Sequence, residues 1–109
     1  MLLPCTLIKD NSIPIKTKSI LDLGATRKGF IDESFAYTNK FTLYKLRNRR
    51  RLNVVDRRPS LASDITHVVK LNIEIKGYKE KMLFYITKLR KYDVILGKPW
   101  LIDHNLNFN

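Results

Sequence analysis

The chain has one cysteine, Cys5, in 109 residues. No internal disulfide can form, and a lone thiol fits a reducing, intracellular setting, cytoplasmic or nuclear. Histidine is nearly as scarce, with only His67 and His104. Their spacing with Cys5 matches no zinc pattern, so structural roles are expected of them. The glycines are few and never clustered, and Gly97-Lys98-Pro99 lacks the glycine-rich approach of a phosphate loop. No local motif supports Ser/His/Asp chemistry. No apolar run approaches the roughly 18 residues that cross a bilayer, so no membrane partner is expected. The opening Met1 to Ile8 is too short for a signal peptide and has no basic flank; it reads as a first strand. Acids are in short supply too: 10 Asp and Glu stand against 21 Lys and Arg, a formal charge of +11.

What is present describes one globular domain, 1–109. Apolar residues make up 44% and aromatics 10%, enough for a modest core and too many for a disordered chain. The charge is lopsided. Lys40, Lys45, Arg47, Arg49, Arg50, Arg51, Arg57 and Arg58 face a single acid in that stretch, Asp56. Such a stripe attracts polyanions, nucleic acid included, in a non-specific way. Phe41 and Tyr44 are the only aromatics within it, poor material for stacking bases. A solvated connector is the plainer account.

The order of patterns reads as mostly strands with two short helices. Leu2 to Ile8 and Ile13 to Leu21 flank a polar turn at Lys9-Asp10-Asn11-Ser12, as in a hairpin. Lys28 to Ile31 is a short strand. Asp32 to Tyr37 is one or two helical turns with Asp32 as N-cap. Asn39 to Arg51 is a weakly patterned connector, and Leu52 to Val55 resumes a strand. Val69, Leu71, Ile73 and Ile75 then alternate with Lys70, Asn72, Glu74 and Lys76, which is a half-buried strand. Gly77 turns the chain into its partner, Tyr78 to Thr87. Tyr92 to Leu96 is a strand stopped by Gly97, and Pro99 opens a helix to about His104. Trp100 is expected to be a packing residue, and Asp93 and Asp103 surface acids.

One place reads as chemistry. In Ser19-Ile-Leu-Asp-Leu-Gly-Ala-Thr26 an apolar run delivers the carboxylate of Asp22 to a turn small enough to aim backbone amides back at it. Amides favour the charged form, whereas a second carboxylate brought close opposes it, so a pair would share one proton. One member then serves as general base on a water and the other as general acid. On the local sequence alone, an Asp that merely caps its own turn in a strand-to-strand connection is the favoured account.

Two segments together resemble a known family. Ile20-Leu-Asp-Leu-Gly-Ala-Thr26 is similar to the hydrophobic-hydrophobic-Asp-Ser/Thr-Gly-Ala motif of retropepsins, the aspartic proteases of retroviruses and long-terminal-repeat retrotransposons. Tyr92-Asp-Val-Ile-Leu-Gly-Lys-Pro-Trp-Leu101 resembles their later hydrophobic-hydrophobic-Gly motif, with an extension seen in gypsy-type polyproteins. Val54 to Pro59 and Ile65 to His67 resemble the flap region of fungal members. The resemblance implies a mostly β, closed barrel of the single-lobe acid-protease type and a homodimeric endopeptidase acting on a retrotransposon polyprotein, without metal or organic cofactor. It implies that Asp22 is catalytic and that Leu23, Gly24, Ala25 and Thr26 form its loop. Ile95, Leu96 and Gly97 would support that loop, and Val55, Asp56, Arg57, Arg58, Pro59, Ser60 and Leu61 would close over a peptide substrate.

Two positions depart from the family pattern. Leu23 stands where retropepsins carry a hydroxyl that bonds across the dimer, and Arg57 where related fungal sequences have a flap glycine. An impaired copy, retained as a dimerisation or peptide-binding module, is therefore the alternative expectation. A basic nucleic-acid-binding domain is the third.

Overall fold

The computed structural model describes residues 2–9, 13–46 and 65–104. The alternating segments form the strands that their period demands. β1 (Leu2–Ile8) and β2 (Ile15–Asp22) pair antiparallel from Leu2↔Ile20 to Leu7↔Ile15. β2 starts later than the apolar pattern suggests, leaving Ile13 85% exposed, and it runs on to include Asp22. β3 (Gly29–Asp32) leads into α1 (Glu33–Thr38). The Asp32 carboxylate accepts the Phe35 N–H at 3.2 Å, the expected N-cap, and its other oxygen accepts the Leu89 N–H at 2.9 Å.

The basic connector contains a strand that its pattern does not announce. β4 (Tyr44–Lys45) pairs with the start of β5 (His67–Ile75). β5 turns at Lys76-Gly77 into β6 (Tyr78–Thr87), and both turn residues have positive φ, 47° and 83°. That is the geometry of a two-residue hairpin, for which glycine is well suited. β7 (Val94–Gly97) runs into α2 (Lys98–Asp103), with Pro99 in the first turn. The expected strand at Leu52–Val55 lies outside the described residues.

Strand order around the sheet is β1-β2-β7-β3-β6-β5, and β1 pairs again with β5 through Thr6↔Glu74, Leu7↔Ile73 and Ile8↔Asn72. Those bonds close a six-stranded barrel, with β4 attached to β5 outside the ring. The inward residues fill it: Leu7, Ile31, Phe84, Val94 and Leu96 are fully buried beside Leu71, Ile73 and Ile75. Trp100 of α2, 1% exposed, plugs the same core, which is the packing role expected of it. Each such side chain contributes roughly 1.5–3 kcal/mol by leaving water.

A second, smaller cluster lies on the outer face of the sheet. Ile20, Ile95, Phe30 and Tyr85 sit side by side across β2, β7, β3 and β6, and Ala25, Leu46, Ile65 and Leu89 pack with them. The barrel thus has a lined interior and one apolar strip outside it.

Candidate active site

Asp22 ends β2, two residues beyond Ile20 and on the same outer face. The chain reverses at once. Gly24 N–H donates to Asp22 Oδ1 at 2.9 Å, and Ala25 N–H donates to the Asp22 carbonyl at 3.0 Å. The turn expected from the small residues is therefore formed, with one amide aimed at the carboxylate. A methyl at Gly24 would stand 3.3 Å from Asp22 Oδ1, so a side chain there would crowd the bond. Leu23 points away from the barrel and is 63% exposed, whereas Ala25 is buried in the outer cluster.

The loop is fixed to β7. In the parallel pairing of β2 with β7, Ile20 faces Ile95, Leu21 faces Leu96 and Asp22 faces Gly97. Gly97 N–H donates to the Lys28 carbonyl at 3.0 Å, and Lys98 N–H to the Ala25 carbonyl at 3.3 Å. The two sequence motifs thus meet, backbone to backbone. A Cβ at Gly97 would fall 2.0 Å from the Arg27 carbonyl oxygen and 3.0 Å from that of Ala25, so the loop's return requires glycine. Ile95 shares the outer cluster with Ala25, while Leu96 points into the barrel core.

The sequence did not single out the charged groups around this loop. Arg27 Cζ lies 5.6 Å from the centroid of the Tyr85 ring, a cation–π contact. Lys28 Nζ reaches Glu80 Oε2 at 2.9 Å and Asp103 Oδ2 at 3.1 Å. Glu80 Oε1 meets His104 Nε2 at 2.6 Å, and the His104 ring packs against Trp100 and Tyr78. Burial alone would raise the Glu80 carboxyl, but hydrogen bonds from His104 and Lys28 outweigh it and hold it below its ordinary value. Burial likewise opposes the charge on Lys28, and its bonds to Glu80 and Asp103 prevail to raise it. Only the adjacency of Arg27 and Lys28 to the Asp22 motif hinted at this.

Among the other expected residues, Asp103 is an exposed acid but an ion-paired one. Asp93 is half-buried and accepts from Thr17 Oγ1 at 2.6 Å, so it is less of a surface acid than expected. Thr26 lies on the Asp22 loop. The flap residues Val55 to Leu61 lie outside the described residues, as does the basic stripe apart from Lys40 and Lys45.

Comparison with solved structures returns the same architecture. The retroviral protease-like domain of Ddi1 from Leishmania major is similar at a TM-score of 0.62 and 19% identity, over 100% of this chain and 78% of that one. The EIAV protease, complexed with the inhibitor HBY-793, is similar at a TM-score of 0.64 and 15% identity, over 100% of this chain and 91% of that one. At these identities the likeness establishes the fold. No curated protein sequence matches the chain. The family model for the PEG10/RTL1 protease domain matches residues 18–109, which take in both motifs and every described element except β1 and the start of β2. The chain belongs to the PEG10/RTL1 protease-domain family, with a retropepsin-like fold.

Proposed function

We propose that the chain is an aspartic endopeptidase domain that works as a homodimer and cuts a retrotransposon-type polyprotein. The observation that carries this reading is the Asp22 loop. One carboxylate stands at the end of β2, held by the Gly24 amide, on a turn anchored to Gly97. The chain has a single Asp-Xaa-Gly, so a dyad needs the same residue from a second copy. Two Asp22 carboxyls sharing one proton divide the work. The charged one takes a proton from a water whose oxygen adds to the peptide carbonyl carbon. The protonated one gives its proton to the carbonyl oxygen. The first Asp22 then passes the proton it took from water to the amide nitrogen while the second takes a hydroxyl proton back from the tetrahedral intermediate, which breaks the C–N bond and restores the one-proton pair. Residues 55–61 would close over the peptide in this reading.

One observation favours a second reading, in which the fold persists as a dimerisation or peptide-binding module with little turnover. Leu23 is an exposed isobutyl group beside the carboxylate, with no hydroxyl to bond across an interface. Both readings place a second copy against this loop, and they differ in catalysis.

The test is a peptide library incubated with the purified chain at acid and neutral pH, with and without a statine-type inhibitor. Sedimentation runs in parallel. Cleavage that the inhibitor and Asp22→Asn both abolish, from a self-associating chain, is the expected result. Cleavage by a strict monomer overturns the shared dyad, and no cleavage under any condition leaves the second reading.

A further inference from the structure

We propose that Arg27 selects an acidic side chain on the bound peptide, about four residues along an extended chain from the bond at Asp22. The inference rests on the reading of Asp22 as the cleavage site. It begins with how close Arg27 is to that residue. Gly97 faces Asp22 in the strand register, and the Arg27 carbonyl oxygen presses on the same glycine. Asp22 therefore leaves the sheet beside Gly97, and Arg27, two residues before β3 begins, backs onto the same glycine.

The Arg27 side chain then runs across the outer face. Ile20, Ile95, Phe30 and Tyr85 form a row over four adjacent strands, with Asp22 beside the first of them and the Arg27 guanidinium over the last. Three strand spacings amount to about 14 Å, which an extended peptide at about 3.3 Å per residue covers in about four residues. Chemically, then, the neighbourhood of Asp22 offers an apolar strip that ends in a cation.

That cation has donors to spare. A contact with the face of a ring uses none of the five N–H groups of a guanidinium. Among the described residues no carboxylate pairs with Arg27. Acids on the adjoining elements are engaged: Asp32 accepts two backbone N–H groups, and Glu80 and Asp103 hold Lys28. Lys88 and Arg90 flank Leu89, which packs in the same cluster, so the local charge is further positive. A stacked, fork-shaped donor in such a field suits Asp or Glu, which accept two parallel bonds.

The experiment uses the full chain and a set of fluorescent decapeptides with statine in place of the bond cut. Glu is placed in turn at each position on either side, with Gln controls. Binding is read by anisotropy on wild type, Arg27→Gln and Arg27→Glu, each checked for native circular dichroism. Glu three to five residues from the statine on one side should bind about tenfold tighter than Gln there. Arg27→Gln should erase that preference, and Arg27→Glu should transfer it to a Lys peptide. Equal binding of Glu and Gln peptides, a preference that survives Arg27→Gln, or no binding of any peptide overturns the inference. Turnover of the same peptides with an ordinary bond is scored separately. Charge-selective binding without cleavage would remove the proposed catalysis and leave the role of Arg27 intact.

Discussion

Gly97 lies directly across from Asp22 in the parallel pairing of β2 with β7, and it leaves room there for the loop to return. The carboxylate, the turn behind it and the second sequence motif are thus one backbone assembly. Its weak point is the space above a single α-carbon.

Gly97→Ala should break that assembly. The added methyl would meet a backbone oxygen at 2.0 Å, and neither partner is the free end of a side chain. Overpacking of this kind costs about 3 kcal/mol. Urea unfolding should show the loss, and any peptidase activity should vanish even where the fold survives at low temperature. A variant with wild-type stability would mean that the loop relaxes elsewhere at no cost.

Leu23→Thr should tighten self-association. In the single chain Leu23 touches solvent, so its cost arises only when a second copy covers it. Supplying a hydroxyl to each copy should contribute about 2 kcal/mol, or more than tenfold in the dimer Kd. Turnover should rise in step, and Asp22→Asn should then abolish it. Arg57→Gly should add separately to turnover with less effect on Kd. Sedimentation and a fluorogenic peptide read the two quantities, and an unchanged or weaker dimer in Leu23→Thr would show that the interface has adapted to leucine.

Glu80 should make the fold sensitive to acid. Its folded carboxyl titrates below the unfolded value of 4.5, so its contribution is complete above that pH. The contribution is lost as pH falls through the folded value. Glu80→Gln should cost about 1 kcal/mol at pH 7, since charged hydrogen bonds to Lys28 and His104 go with it. The gap between variant and wild type should narrow at pH 3 in urea titrations. A constant gap would assign the effect to packing.

Cys5 should behave in the opposite sense, at the alkaline end. Burial, with a smaller push from Asp93 and against a bond with Ser19, lifts its thiol from 9.0 to about 11. The unfolded chain therefore ionises first, and stability should decline as pH rises from 9 towards 11. Cys5→Ala should flatten that decline. In the native protein at pH 8 the thiol should resist a disulfide reagent and react promptly once urea is added. Rapid native labelling would mean that β1 opens.

Most of this architecture could be read from local signals. Alternation gave β5 because Val69, Leu71, Ile73 and Ile75 point inward between the polar Lys70, Asn72 and Glu74, and Gly77 marked the turn into its partner β6. The Asp22 turn was legible because Gly24 has no side chain and Ala25 only a methyl, and Asp32 because it stands at the head of a helical pattern. Tyr44 and Lys45 gave no sign of β4, since both are exposed and only two register pairs hold them. The Lys28, Glu80 and His104 group was equally hidden. Its members come from a loop, a strand and a helix end, and no local period connects them. Burial of Asp93 was missed for a related reason: its partner, Thr17, comes from a strand far away in the chain.

The closing pairs between β1 and β5 bear on how this protein can be cut down. The family match begins at residue 18, and a fragment trimmed to that point would lose β1 and part of β2. β5 would then present unpaired amides and carbonyls from Asn72 to Glu74, and the remnant of β2 another such row. Raw strand edges recruit strands from other molecules, and Leu3, Cys5 and Leu7 would no longer cover the core beneath. Seven residues at the head of the chain act as the stave that makes an open sheet into a cask, and without them the same domain becomes adhesive.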